Sequence, residues 1–465
     1  MTALISSILG VASTVPPGGG EVPLGALLPL WTVAPFVLVL LSIALLPLVA
    51  GSFWESNRNK ALVAALLAVP FGLYLAVGHG AEGRRELLHT ALDYLSFMAL
   101  LGALFVISGG IRVRGSLAGT PLANSALLGL GAVLANLIGT TGASMLLIRP
   151  LLRANAERRH KVHLVVFFIF VVSNCGGLLT PLGDPPLFLG FLKGVPFEWT
   201  LRLWKEWLLV NGLLIVLGNV IDQRMLAREE IEDGTEPLFD ELLQHEPFRL
   251  EGWHNLFFLG GVVLVIVGRG QSWGTAPDPW PFGVQEGLMV AMGVGAYLAT
   301  RAETRAANRF GFGPIVEVGV LFAGIFVTMI APLLILNARG AELGLSRPWQ
   351  YYWASGALSS FLDNAPTYLT FAAAAAGQLG VPVTGARYLA DFLGLGAQAA
   401  GLLAAISCGA VMMGANTYIG NGPNFMVKAI AEENGVKMPS FFGYMAWSVA
   451  ILIPIFGLVT FVFFR

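Results

Sequence analysis

Two aspartates lie where a carboxylate is costly to keep. Asp184 falls in the stretch 173–186, between the apolar runs 162–172 and 187–192. Asp363 opens Asp363-Asn364-Ala365-Pro366, between the apolar runs 351–362 and 367–376. A carboxylate in hydrocarbon pays a large desolvation cost unless a cation or a donor offsets it. Such a group suits alternate binding of a proton and a sodium ion, and two of them could release protons as a cation enters. The residues around them are oxygen-bearing: Asn174 and Thr180 near Asp184, Thr140 and Thr141 within 138–142, Asn364 beside Asp363, and Asn416, Thr417 and Asn421 within 414–425. Hard small cations prefer such carboxylate, hydroxyl and amide oxygens. No Arg or Lys falls at the centre of these four stretches, so an anion there would depend on backbone N–H groups and amides. A plainer reading stands beside this one. Each Asp could simply cap a half-helix, and Thr, Ser and Asn in apolar helices are commonly interhelical hydrogen-bonding groups.

The elements that must hold these residues follow from composition. Of 465 residues, 56% are hydrophobic and only 12% charged, against about a quarter charged in ordinary soluble domains. The pattern is that of an all-α polytopic membrane protein with about ten long apolar segments. A net charge of −1 gives no basic surface for nucleic acid. Cys175 and Cys408 lie in apolar runs with neither disulfide nor zinc spacing, and the six histidines do not cluster. The apolar patch at 4–11 lacks a basic flank, so no cleaved signal peptide is expected, and 16–20 reads as a loop.

The stretch 173–186 cannot be a regular helix, because prolines and glycines interrupt it. Unwound backbone at membrane depth survives only inside protein or along a cavity. A second such stretch, 414–425, matches it at a shift of 237 residues: Gly177, Thr180, Gly183 and Phe188 fall on Gly414, Thr417, Gly420 and Phe425, and Asp184 falls on Asn421. Paired helix breaks in two halves point to a transporter's site. Two re-entrant hairpins are also expected, one over 126–152 with its tip at 138–142, and one over 351–376 with its tip at 363–366. Each half then has five crossings, one of them broken, and one hairpin. An odd number of crossings sets the two halves as inverted repeats. The expected divisions are an N-terminal segment 1–24, a first repeat 25–221, a cytoplasmic linker 222–251 whose acidic run 229–233 reads as a solvated face, and a second repeat 252–465. With both termini outside the cell membrane, 17 of the 27 Lys and Arg fall in inside loops.

These motifs resemble the ion-transporter superfamily, which includes divalent-anion/sodium symporters, citrate–metal transporters, arsenite pumps and NhaD-type sodium/proton antiporters. Pro181-Leu182-Gly183-Asp184 and Asp363-Asn364-Ala365-Pro366 are similar to the helix break and outer hairpin of the NhaD-type antiporters. The Ser-Asn-Thr tips of the dicarboxylate symporters are absent. Gly414–Asn424 is similar to a segment of the subgroup identified both as sodium:proton antiporters and as citrate transporters. The resemblance implies a homodimer in the lipid bilayer, an elevator-like stroke of hairpins and broken helices, and no enzymatic activity. Sodium and protons would be transported ions, with no cofactor, and Asp184 and Asp363 would carry the exchange. The alternative is cation-coupled transport of citrate or a related anion.

Overall fold

The computed structural model describes residues 24–114, 119–233, 249–275, 280–308, 310–385 and 387–465. The expectations for 4–11 and 16–20, and the part of the expected linker at 234–248, lie outside the described residues. The fold is helical, with a single antiparallel pair of three-residue strands, β1 (Arg112–Arg114) and β2 (Arg249–Glu251), among those residues.

In the first half, α1 (Ala34–Val49), α2 (Asn57–Gly78) and α3 (Gly80–Gly109) lead to α4 (Pro121–Ala154). Then come α5 (Val162–Val171), a 3-10 turn (Cys175–Leu179), α6 (Pro185–Leu192) and α7 (Trp204–Asp233). The second half runs α8 (Asn255–Gly270), α9 (Val284–Ala299), α10 (Gly313–Thr328), α11 (Ile330–Arg339), α12 (Pro348–Ser359) and α13 (Asn364–Gln378). It continues through α14 (Tyr388–Gly394), α15 (Ala397–Met413), a 3-10 turn (Gly414–Asn416), α16 (Gly422–Glu433) and α17 (Phe441–Phe463).

Among the described residues, nine helical stretches have the length and hydropathy to cross a bilayer. Their outer faces are apolar. On α2, Leu62, Leu66, Leu73 and Val77 are all more than half exposed, at the spacing of one helix face. A water-soluble helix would turn that stripe inward; here it suits lipid. Helix α5 is the opposite case, since His163 through Val171 are all buried. Its apolar circumference therefore meets protein on every side.

Helix α4 is long enough to span a membrane but does not run straight. Gly139 has φ 77° and ψ 156°, outside the helical region. Asn124 and Asn155 exchange amide hydrogen bonds at 3.0 and 2.8 Å, so the two ends of the element lie side by side. The chain therefore doubles back at Gly139 as a hairpin. Helices α12 and α13 form the second hairpin, and the Tyr351 hydroxyl donates to Gln378 Oε1 near its open end at 2.8 Å.

The polar stretch that begins at residue 222 starts inside a helix. Helix α7 continues to Asp233, and both Asp222 and Glu229 are 1% exposed rather than in a solvated loop. The reason is a buried cation. Arg158 Nη2 meets Asp222 Oδ1 and Arg158 Nε meets Glu229 Oε2, each at 2.8 Å. His163 Nε2 lies 2.9 Å from the same Asp222 oxygen, and Asn124 donates to the other at 2.8 Å. This cluster ties the open end of the first hairpin and the start of α5 to α7. The crossing expected at 315–336 is a single apolar stretch, Gly313–Arg339, formed by α10 and α11 on either side of Met329, and α14 is an additional short helix.

Candidate functional site

Both hairpin tips and both helix breaks meet at Asp184. The residue stands at the N-cap of α6, yet its side chain caps nothing. The cause is local. An N-cap carboxylate accepts from the second or third helical N–H. Pro185 and Pro186 have none, and Leu187 N donates to the Asp184 main-chain carbonyl at 3.1 Å. The carboxylate is thus free to face other elements. From the first hairpin tip, Thr140 Oγ1 donates to Asp184 Oδ1 at 3.0 Å. From the second hairpin, Asn364 Nδ2 donates to Oδ2. From the second break, Asn421 Nδ2 lies 3.4 Å from Oδ1. The two positions paired by the 237-residue shift therefore face each other across the junction.

Asp363 behaves differently. Its Oδ1 accepts from Ala365 N at 3.0 Å, so it caps α13 as the plainer reading held. It directly precedes Asn364, whose amide reaches Asp184, so a second carboxyl borders the site. Asn364 is 1% exposed, and its Oδ1, beside the Asp184 carboxylate, has no hydrogen-bond partner.

The other sequence-derived candidates divide. Asn174 lies one shell out: Asn421 Nδ2 donates to Asn174 Oδ1 at 3.2 Å, and Asn174 Nδ2 donates to Asn424 Oδ1 at 2.7 Å. Thr180 Oγ1 donates to the Asn136 carbonyl, and Thr417 Oγ1 donates to the Ser360 carbonyl at 2.5 Å. These two threonines pin each break to the adjacent hairpin, in matching positions of the two halves. Asn416 Nδ2 donates to Ser360 Oγ at 2.9 Å, leaving Asn416 Oδ1 buried without a partner. Thr141 lines a cavity of about 90 Å³ together with Thr140, Asp184, Ser108, Phe97 and Val318. Neither Lys nor Arg is among its lining residues. Ser360, which holds both Asn416 and Thr417, was missed; with Ser359 it forms a serine pair inside an apolar run, and serines there commonly just bond a helix backbone.

The breaks are tight as well as unwound. A Cβ on Gly183 would sit 2.1 Å from the Gly177 carbonyl oxygen, and Thr140 N donates to the Gly183 carbonyl at 2.8 Å. Gly183→Ala must therefore force the two segments of the break apart at Gly177 and disturb the backbone bond to Thr140. The expected loss is about 1–3 kcal/mol of stability, as for other overpacked sites, together with most transport. A thermal melt in detergent beside a flux assay measures both, and an unchanged melting temperature would contradict this packing.

The site gathers oxygens of the kind that small hard cations and protons prefer. Its oxygens are a carboxylate, a hydroxyl and an amide carbonyl, and no group of three or more His, Cys, Asp or Glu suited to a metal occurs among the described residues. That donor set suits a monovalent ion better than a caged divalent one. The family described as "Putative citrate transport" matches residues 25–464. No curated protein matches the chain.

Proposed function

The chain belongs to this citrate-transport family, a family of membrane transporters, and from the site's geometry we propose that it is a secondary active transporter exchanging sodium for protons at Asp184. The observation that carries the reading is the buried carboxylate with neutral donors from three separate elements, beside an amide oxygen that nothing else occupies. Asn364 serves either state of the acid. It presents Nδ2 to the charged carboxylate, and turned over it presents Oδ1 to a protonated carboxyl or to a bound cation. Sodium would take Asp184, the Thr140 hydroxyl and Asn364 Oδ1. Asp363 adds a second negative charge nearby, which loading by either ion relieves. Since proton and sodium compete for one carboxylate, sodium affinity falls as pH falls.

The motion proposed is an elevator-like stroke. The polar ligands come from hairpins and half-helices, whereas α3 and α10 offer the cavity Phe97, Leu100, Pro314 and Val318, mostly apolar surface against which a unit can slide. The paired breaks support an inverted-repeat arrangement. A homodimer in the cell membrane, both termini outside, completes the proposal.

A second reading is favoured by the family match: cation-coupled movement of citrate or a related anion. Asp184 would then hold the coupling ion, and the amides of Asn364 and Asn421 would face the anion. Proteoliposomes with an internal pH dye separate the two. Proton movement opposite to sodium on adding NaCl, without citrate, is the result expected. No response to NaCl, LiCl or KCl, with flux only on adding sodium citrate, would overturn exchange in favour of the second reading.

A further inference from the structure

Helix α6 carries Asp184 at one end and Lys193 at the other. Its eight residues span roughly 12 Å, at about 1.5 Å per residue, so the two ends move as one rigid piece. Lys193 Nζ forms an ion pair with Asp93 Oδ2 of α3. The next turns of α3 carry Phe97, Leu100 and Leu104, which wall the Asp184 cavity. The ion pair thus joins the half-helix that bears the exchanging carboxylate to the wall it faces.

The pair sits in a second cavity, of about 900 Å³, whose lining includes Glu86, His89, Arg269 and Arg387. Arg269 is already engaged, by Gln285 Oε1 at 2.8 Å and Glu286 Oε1 at 3.2 Å. On the α6 side, Leu389 N donates to the Lys193 carbonyl at 3.0 Å, which ties the end of α6 to α14. Across to α3, the Lys193–Asp93 pair is a polar link.

Solvation decides what such a link is for. The Arg158 cluster is shut from water, with side chains 0–2% exposed, and breaking it strands buried charge. The Lys193 and Asp93 side chains are 20% and 26% exposed, so water can take over either partner. A partly hydrated pair holds a conformation weakly and parts cheaply.

We propose that Lys193–Asp93 is a latch: it holds the Asp184 half-helix against α3 in this conformation and opens in every transport cycle. Lys193 is then a positioning residue, acting on Asp184 through α6. The inference rests on the transporter reading above.

The test uses the full chain with Cys175 and Cys408 replaced by Ala. Lys193→Cys and Asp93→Cys are joined by a short bifunctional methanethiosulfonate, and sodium- and citrate-driven fluxes are read before and after reduction. The latch predicts at least a tenfold loss of flux on cross-linking and its return on reduction. Undiminished flux in the cross-linked protein would overturn it. A second readout needs no flux: the labelling rate of Thr141→Cys in the site cavity. Lys193→Ala or Asp93→Ala should change that rate by roughly fivefold, the population shift a partly hydrated pair supports. The reversed pair Lys193→Asp/Asp93→Lys should restore it. Equal rates in all four proteins would overturn the latch. Absence of flux from the parent protein with either salt would mean that the transport reading has failed, and the labelling rates alone would then decide the latch.

Discussion

Asp184→Asn should abolish ion-coupled exchange, lowering sodium-driven proton flux at least a hundredfold while leaving the protein folded. The substitution keeps the size of the side chain and removes the one function that none of the side chains bonded to it can replace, a reversible negative charge. Thr140, Asn364 and Asn421 are neutral, so none can take over the proton or balance a cation. Folding should survive because the amide oxygen can still accept from Thr140, the amide NH2 can donate to Asn364 Oδ1 once Asn364 turns over, and desolvating an amide costs less than desolvating a carboxylate. Asp363→Asn should be milder, since the Asp363 side chain also caps α13 and an amide oxygen caps nearly as well. Flux in proteoliposomes, normalised to monodisperse protein, checks the pair. Wild-type exchange in Asp184→Asn would remove Asp184 from the mechanism.

The second large effect is on stability. Arg158→Met should cost about 3–5 kcal/mol, because it leaves Asp222 and Glu229 charged and buried without their cation. His163 remains beside Asp222 but contacts only one of its oxygens. Arg158→Lys should recover little, since Arg158 reaches the two acids through different nitrogens of one planar group and also donates to the Gly119 carbonyl at 3.2 Å. Neutralising all three positions, Arg158→Met with Asp222→Asn and Glu229→Gln, should recover more than Lys does, because no stranded charge is left. Thermal unfolding in one detergent ranks the variants. A single Arg158→Met variant as stable as the parent would show that the cluster carries no such strain.

Much of the site was legible in the sequence because helix breakers inside apolar runs have few uses. The two breaks were marked by Gly and Pro within apolar runs and the two hairpin tips by short polar stretches between half-length apolar runs, and the structure brings all four to one carboxylate. The 237-residue shift also held a physical meaning: Thr180 and Thr417 each pin a break to a hairpin backbone. The different duties of the two aspartates were written in the next two residues. Pro185 and Pro186 deprive Asp184 of cap donors, whereas Asn364-Ala365 leaves Asp363 a backbone N–H. What the sequence did not reveal was long-range. Arg158 meets partners 64 and 71 positions away, and nothing local marks Asp222 or Glu229 as buried. Acidic residues in a run are usually solvated; here a partner from another element drew one of them, Glu229, inside.

The central claim is that one carboxylate binds sodium and a proton in competition. It is tested most directly by titrating sodium into the detergent-purified protein, by calorimetry, in two buffers of different ionisation enthalpy. The account predicts binding that releases protons, with sodium affinity falling as pH is lowered, and the loss of both heat and proton release in Asp184→Asn. Sodium binding without proton release, or the same release in Asp184→Asn, would contradict it.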